Sequence, residues 1–97
     1  MALGQMVGII TEVPAGGFLD IRPSAGVEYV IHNIVVPDGT MFELYYSDGT
    51  NNIKVDSGSS SIVDVHYHAS NLIYYRVKNI SSSSTNIGYD GVIIYEG

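Results

Sequence analysis

The apolar residues of this chain recur at every second position in short bursts, and each burst ends at Gly, Pro, Asn, Asp or Ser. That pattern leaves little room for anything but β-structure. Alternation with period two puts one row of side chains on each face of a strand, whereas a helix needs apolar residues three and four apart. About eight segments rich in Val, Ile and Tyr qualify. They are Met6–Val13, Phe18–Arg22, Val27–Val36, Met41–Tyr46, Asn52–Asp56, Ser61–His68, Leu72–Asn79 and Gly88–Tyr95. The breaks between them have physical causes. Pro14-Ala15-Gly16-Gly17 and Pro23-Ser24-Ala25-Gly26 interrupt a ladder, because Pro has no donor and Gly tolerates positive φ. Pro37-Asp38-Gly39-Thr40 has turn chemistry, and Asp48-Gly49-Thr50-Asn51 closes a hairpin. Ser57–Ser60 and Ser81–Thr85 read as polar loops.

Even strand spacing predicts an all-β fold, an antiparallel β-sandwich of about eight strands that is jelly-roll-like. An immunoglobulin-like sandwich more often brings a buried Trp and a disulfide, and this chain has neither Trp nor Cys. At 97 residues the chain is expected to form one domain, residues 1–97, with 1–5 as a short N-terminal arm. Alternation assigns Ile9, Phe18, Ile31, Leu44, Val55, Val65, Val77 and Ile93 to the core. Along Val27–Val36 it places Val27, Tyr29, Ile31 and Val35 on one side and Val30, Ile34 and Val36 on the other. A sandwich buries only the inner face of each strand, so the second apolar set predicts a homo-oligomer.

Charge removes several classes of partner. Ten Asp and Glu against four Lys and Arg give a net charge of −6. Binding to nucleic acid needs clustered basic charge, and so does docking on an anionic membrane, so neither is expected. Without cysteine there are no disulfides, thiolate metal sites or cysteine nucleophiles. No apolar run approaches the ~20 residues of a transmembrane helix. No Lys or Arg precedes the apolar part of Met1–Val13, so no secretory signal is expected.

One constellation suggests metal chemistry. In a strand, Asp64, His66 and His68 would share a face and offer a carboxylate and two imidazoles to a divalent ion. His32 would add a third nitrogen if its strand lay alongside. Simple alternation explains the same pattern as a polar edge opposite Val63, Val65 and Tyr67, and no metal or other cofactor is expected. No Gly-x-Ser-x-Gly elbow marks a nucleophile. Asp38, Asp48 and Asp90 each precede Gly, where turn formation accounts for them. The expected role is therefore not enzymatic. Candidate interface residues are Tyr29, Tyr45, His66, His68, Tyr74 and Arg76, which are aromatic or hydrogen-bonding side chains on strands.

Three phrases carry a resemblance. Ile21-Arg22-Pro23 leads closely into Ala25-Gly26-Val27-Glu28-Tyr29-Val30-Ile31-His32-Asn33-Ile34. Phe42-Glu43-Leu44-Tyr45-Tyr46-Ser47-Asp48-Gly49-Thr50 follows. Tyr74-Tyr75-Arg76-Val77-Lys78-Asn79 and Ile87-Gly88-Tyr89-Asp90-Gly91-Val92 close the chain. Together, over roughly residues 7–95, they resemble small virion structural proteins of tailed bacteriophages. The resemblance implies a capsid decoration (cement) or head-fibre protein, assembled as a trimer on the major capsid protein. It would be made in the host cytoplasm and located on the outer capsid surface of the virion. The alternative it implies is a receptor- or carbohydrate-binding module of a phage tail or head fibre.

Overall fold

Turn chemistry sends this chain from one sheet to the other at nearly every connection. The computed structural model describes residues 3–96. Its strands are β1 (Met6–Val13), β2 (Phe18–Ile21), β3 (Val27–Val35), β4 (Phe42–Ser47), β5 (Asn52–Gly58), β6 (Tyr67–Ser70), β7 (Tyr74–Asn79) and β8 (Thr85–Glu96). They form two antiparallel sheets, the first ordered β1-β8-β3-β6 and the second β2-β7-β4-β5. Only β4 and β5 are sheet neighbours in direct succession. The Asp48 carboxylate fixes that hairpin by accepting the Asn51 and Thr50 amides at 2.7 and 2.9 Å, with Gly49 at φ 93°. Those amide bonds hold the Asp48 carboxyl below its ordinary pKa. This alternation between layers is the eight-stranded, two-sheet jelly roll expected from the strand spacing.

The core lies between the sheets. Ile31, Ile34 and Ile87 of the first sheet meet Ile21, Phe42, Leu44 and Val77 of the second, all essentially without solvent contact. Ile31, Leu44, Val77 and Ile93 are buried as alternation predicts. Four other assignments are corrected. Ile9 and Val55 are half exposed because β1 and β5 are edge strands with nothing over them. Phe18 points outward and Leu19 and Ile21 point inward, a slip of one residue that exchanges faces. Val65 is only partly buried because it precedes β6.

A β-bulge accounts for the largest change of face. Ile31 pairs with Gly91 and Asn33 with Asp90, leaving His32 as an extra residue. Residues paired directly across strands share a face. Tyr29, Ile31 and Ile34 therefore face the core, while Val30 and Val35 face outward opposite Val92 and Gly88. The predicted sides of Val35 and Ile34 are thus exchanged.

The expected N-terminal arm is tied to β8 where it is described. Gly4 donates to the Ile93 carbonyl at 2.7 Å and Ile93 donates to the Gln5 carbonyl at 3.1 Å, so the β1–β8 pairing extends through these residues. Met1 and Ala2 of that arm lie outside the described residues.

Candidate functional site

The metal constellation does not form. Asp64 sits at φ 61°, in the left-handed region, and β6 begins only at Tyr67. Strand alternation therefore does not bring Asp64, His66 and His68 onto one face. Residues 61–66 instead run beside β3 through an Ile34–Ile62 bridge and a 3.0 Å bond from the Val65 amide to the His32 carbonyl. That path brings the His32 and His66 rings to 5.1 Å, edge to face. The Asp64 amide donates to Asn33 at 3.2 Å, and Asn33 Nδ2 donates to Asp90 at 2.7 Å. Among the described residues, no group of three or more His, Cys, Asp or Glu is placed to hold a metal ion.

The candidate interface residues scatter rather than converge. Tyr29 packs on the core, and His66 and His68 are exposed. Tyr74 is only 4% exposed, with the Arg22 guanidinium 4.5 Å from its ring centre. Tyr45 and Arg76 lie on the outer face of the second sheet, which is polar and well paired. Arg76 reaches Asp20 at 2.7 Å and covers the Phe18 ring at 4.0 Å. The Tyr45 hydroxyl donates to Glu43 at 2.6 Å, and Lys54 approaches the same carboxylate at 3.5 Å. The Tyr45 bond, and after it the Lys54 charge, hold the Glu43 carboxyl below its ordinary range. Such a face is suited to water.

The outer face of the first sheet is different. Ladder pairing puts Met6 beside Val92 and Val30, and Ile10 beside Gly88 and Val35. Met6 and Ile10 are each 70% exposed. Gly8 lies between them, and a groove of about 570 Å³ runs along the β1 edge, lined by Met6, Gly8, Ile10 and Val35 of this face together with Val7, Ile9 and Tyr89, whose ladder partners place them on the core side. Asp90 is its one charged wall residue. Sequence reasoning missed this surface because the bulge at His32 decides that Val35 faces it. The strand glycines were the available signal, since Gly inside a strand often marks a close approach.

The opposite flank carries a tyrosine stack. Tyr67 of β6 lies 4.8 Å from Tyr75 of β7, and Tyr75 lies 5.1 Å from Tyr46 of β4. Burial raises the pKa of Tyr75, and burial followed by the Asp56 charge raises that of Tyr67. Tyr89, near the first groove, is raised by burial and then by Tyr29. A raised tyrosine pKa contributes stability that is complete below the unfolded value of about 10 and is lost as pH climbs through the folded value. Thermal melts between pH 9 and about 12 are therefore expected to fall steadily. Replacing Tyr75 with Phe should flatten that fall, and an unchanged slope would contradict the assignment.

These features define a two-sheet jelly roll with one solvated face and one apolar face. No protein-family model matches the chain, and no curated protein matches it. Among solved structures, the chain is similar in fold to the Drosophila NLP-core, whose crystal structure was described as giving insight into pentamer formation and histone binding. The TM-score is 0.51 at 13% identity, covering 90% of this chain and 97% of that one. This finding corrects the function and partners implied by the phage resemblance. The fold neighbour is a pentamer-forming, histone-binding core rather than a trimer on a major capsid protein. The bacteriophage, cement and homotrimer descriptions, and the fibre receptor alternative, fall with it. The motifs that carried the resemblance are structural. Ile21, Ile31 and Asn79 are buried groups that the sandwich itself requires, and one fold serves many functions.

Proposed function

We propose that this chain is a non-enzymatic module that assembles with copies of itself into a closed ring, and that the ring holds a basic protein partner. One observation carries the reading: the first sheet exposes an apolar groove along its β1 edge, while the outer face of the second is satisfied by its own ion pairs. Large exposed apolar patches on a small domain mark interaction sites. A ring of five is suggested by the pentamer-forming fold neighbour. A basic partner is suggested by the net charge of −6, multiplied around a ring, and by the same neighbour's histone binding. The absence of catalysis is supported by the groove's hydrocarbon walls and by Asp90, whose carboxylate already accepts the Asn33 amide.

Native mass spectrometry at micromolar concentration tests the assembly, and a five-chain species is the expected result. A species at the mass of a single chain would overturn self-assembly. Titration with core histones tests the partner, with binding expected to weaken at least tenfold between low and moderately high salt. Absent or salt-independent binding would overturn that half of the reading.

A further inference from the structure

Two departures from regular strand geometry each present a histidine, and the fold sets them side by side. His32 is the extra residue of the β3 bulge, a device that re-aims the side chain it carries. His66 follows Asp64, the one described non-glycine residue at positive φ, and leads into β6. Main-chain contacts clamp the two segments together on both sides of the pair. Ile31 pairs with Tyr67, the Val65 amide donates to the His32 carbonyl at 3.0 Å, and Ile34 bridges to Ile62. The backbone therefore fixes where both imidazoles start from.

Both rings are open to a ligand. Their centres lie 5.1 Å apart with the planes at 75°, and among the described residues no hydrogen bond engages either ring. His66 is exposed and His32 half-buried, so solvent reaches the pair. The spacing is that of two ligands on one ion. With metal–nitrogen bonds of about 2.0–2.1 Å and a tetrahedral angle between them, the centres of two ligating imidazoles fall about 5 Å apart. The outer torsion of histidine is soft, so turning the rings aims a nitrogen of each at a common point without moving the main chain. Asn33, next to His32, accepts the Asp64 amide and donates to the Asp90 carboxylate, which brings two acidic residues to the same corner. The net charge of −6 adds a general attraction for cations.

We propose that His32 and His66 together bind one divalent transition-metal ion of the kind that prefers imidazole, such as Zn²⁺. Two protein nitrogens make an open site whose other positions water fills, and imidazole suits Zn²⁺, Cu²⁺ and Ni²⁺, whereas Mg²⁺ takes oxygen ligands. His68 is not part of the site. It stands two residues further along, paired with Val30 rather than placed against His32. The site needs no second copy of the chain and stands apart from the self-assembly reading.

The chain has three histidines, so imidazole NMR signals follow each one separately during titration with Zn²⁺. His32 and His66 are expected to shift together and level off at one ion per chain, and Mg²⁺ should not reproduce the shifts. His66→Ala and His32→Gln should each weaken Zn²⁺ binding by about tenfold or more, while His68→Ala stays within about twofold of wild type. An ion that binds only the folded state raises the melting temperature. Zn²⁺ should therefore stabilise the wild type and His68→Ala, and leave the other two variants unchanged. Circular dichroism confirms that each variant is folded, and His66→Ala, at an exposed position, carries the comparison if His32→Gln is not. Three histidines shifting in parallel without saturation, an equal loss in His68→Ala, or no histidine shift at all would overturn the paired site.

Discussion

Substituting Ala for Gly91 is expected to leave the chain unfolded or nearly so, although it adds a single methyl group. Gly91 is buried in the middle of β8, paired with Val7 on one side and Ile31 on the other. A Cβ built there would run into the Val30 carbonyl oxygen, and would sit 2.9 Å from both the Ile31 Cα and the Val30 carbonyl carbon. All three are main-chain atoms of β3, a central strand, so no side-chain rotation relieves the clash. The crowding lies beside the bulge at His32, where two residues of β3 crowd one of β8. Overpacking by a methyl group in a core ordinarily costs about 1–3 kcal/mol. Displacing a central strand should exceed about 3 kcal/mol, a large part of the roughly 5–15 kcal/mol available to a small domain. Gly58 is the control. Its added Cβ would meet only the Phe42 ring, at 3.6 and 3.7 Å, which is ordinary contact. Urea unfolding should show Gly58→Ala within about 1 kcal/mol of wild type. A similarly small loss for Gly91→Ala would refute the argument.

Much of the fold was legible because strand alternation and turn chemistry are local. β1 matches the predicted Met6–Val13 residue for residue, and the Asp48–Asn51 hairpin forms where its sequence places it. What escaped was decided by pairing. The His32 bulge exists because β3 must match β8 around Gly91, and no periodicity in β3 alone announces it. Ile9 and Val55 read as core residues because alternation cannot tell an edge strand from a central one. Asp64, His66 and His68 read as one face because Asp64 gave no sign of leaving the strand conformation. The apolar groove was the least visible feature. Its walls come from β1, β3 and β8, distant in sequence, with Gly8 among them. The motifs that suggested a family proved to be groups that hold the sandwich together.

Asn79 shows the same principle at a single side chain, and it carries the second large expected effect. It is fully buried at the end of β7. Its Nδ2 donates to the Val13 and Ser83 carbonyls, both at 2.9 Å. Its Oδ1 accepts the Ser81 amide at 2.9 Å and the Ser81 hydroxyl at 2.6 Å. Its main chain bonds to Gly16 and Gly17 at 2.7 and 2.9 Å. One residue thus ties the end of β1, the turn after it and the loop leading to β8. Asn79→Ala removes the side-chain donor to the Val13 carbonyl and the acceptor of the Ser81 amide, and leaves the Ser83 carbonyl with the Ser81 hydroxyl alone, for an expected loss of about 2–4 kcal/mol. Asn79→Asp keeps the shape but turns a donor into an acceptor facing two carbonyl oxygens. Burial and those oxygens should raise the new carboxyl's pKa in the folded state above its unfolded value of about 3.9. A raised folded value means stability that is complete below the unfolded pKa and is lost as pH rises through the folded one. The Asn79→Asp protein should therefore be at least as unstable as Asn79→Ala at pH 7 and recover toward wild type near pH 4. The Asn79→Ala deficit should hold nearly constant over that range. Denaturant melts of all three proteins at both pH values check this, and parallel deficits for the two variants would show that the side-chain donor at Asn79 does not matter.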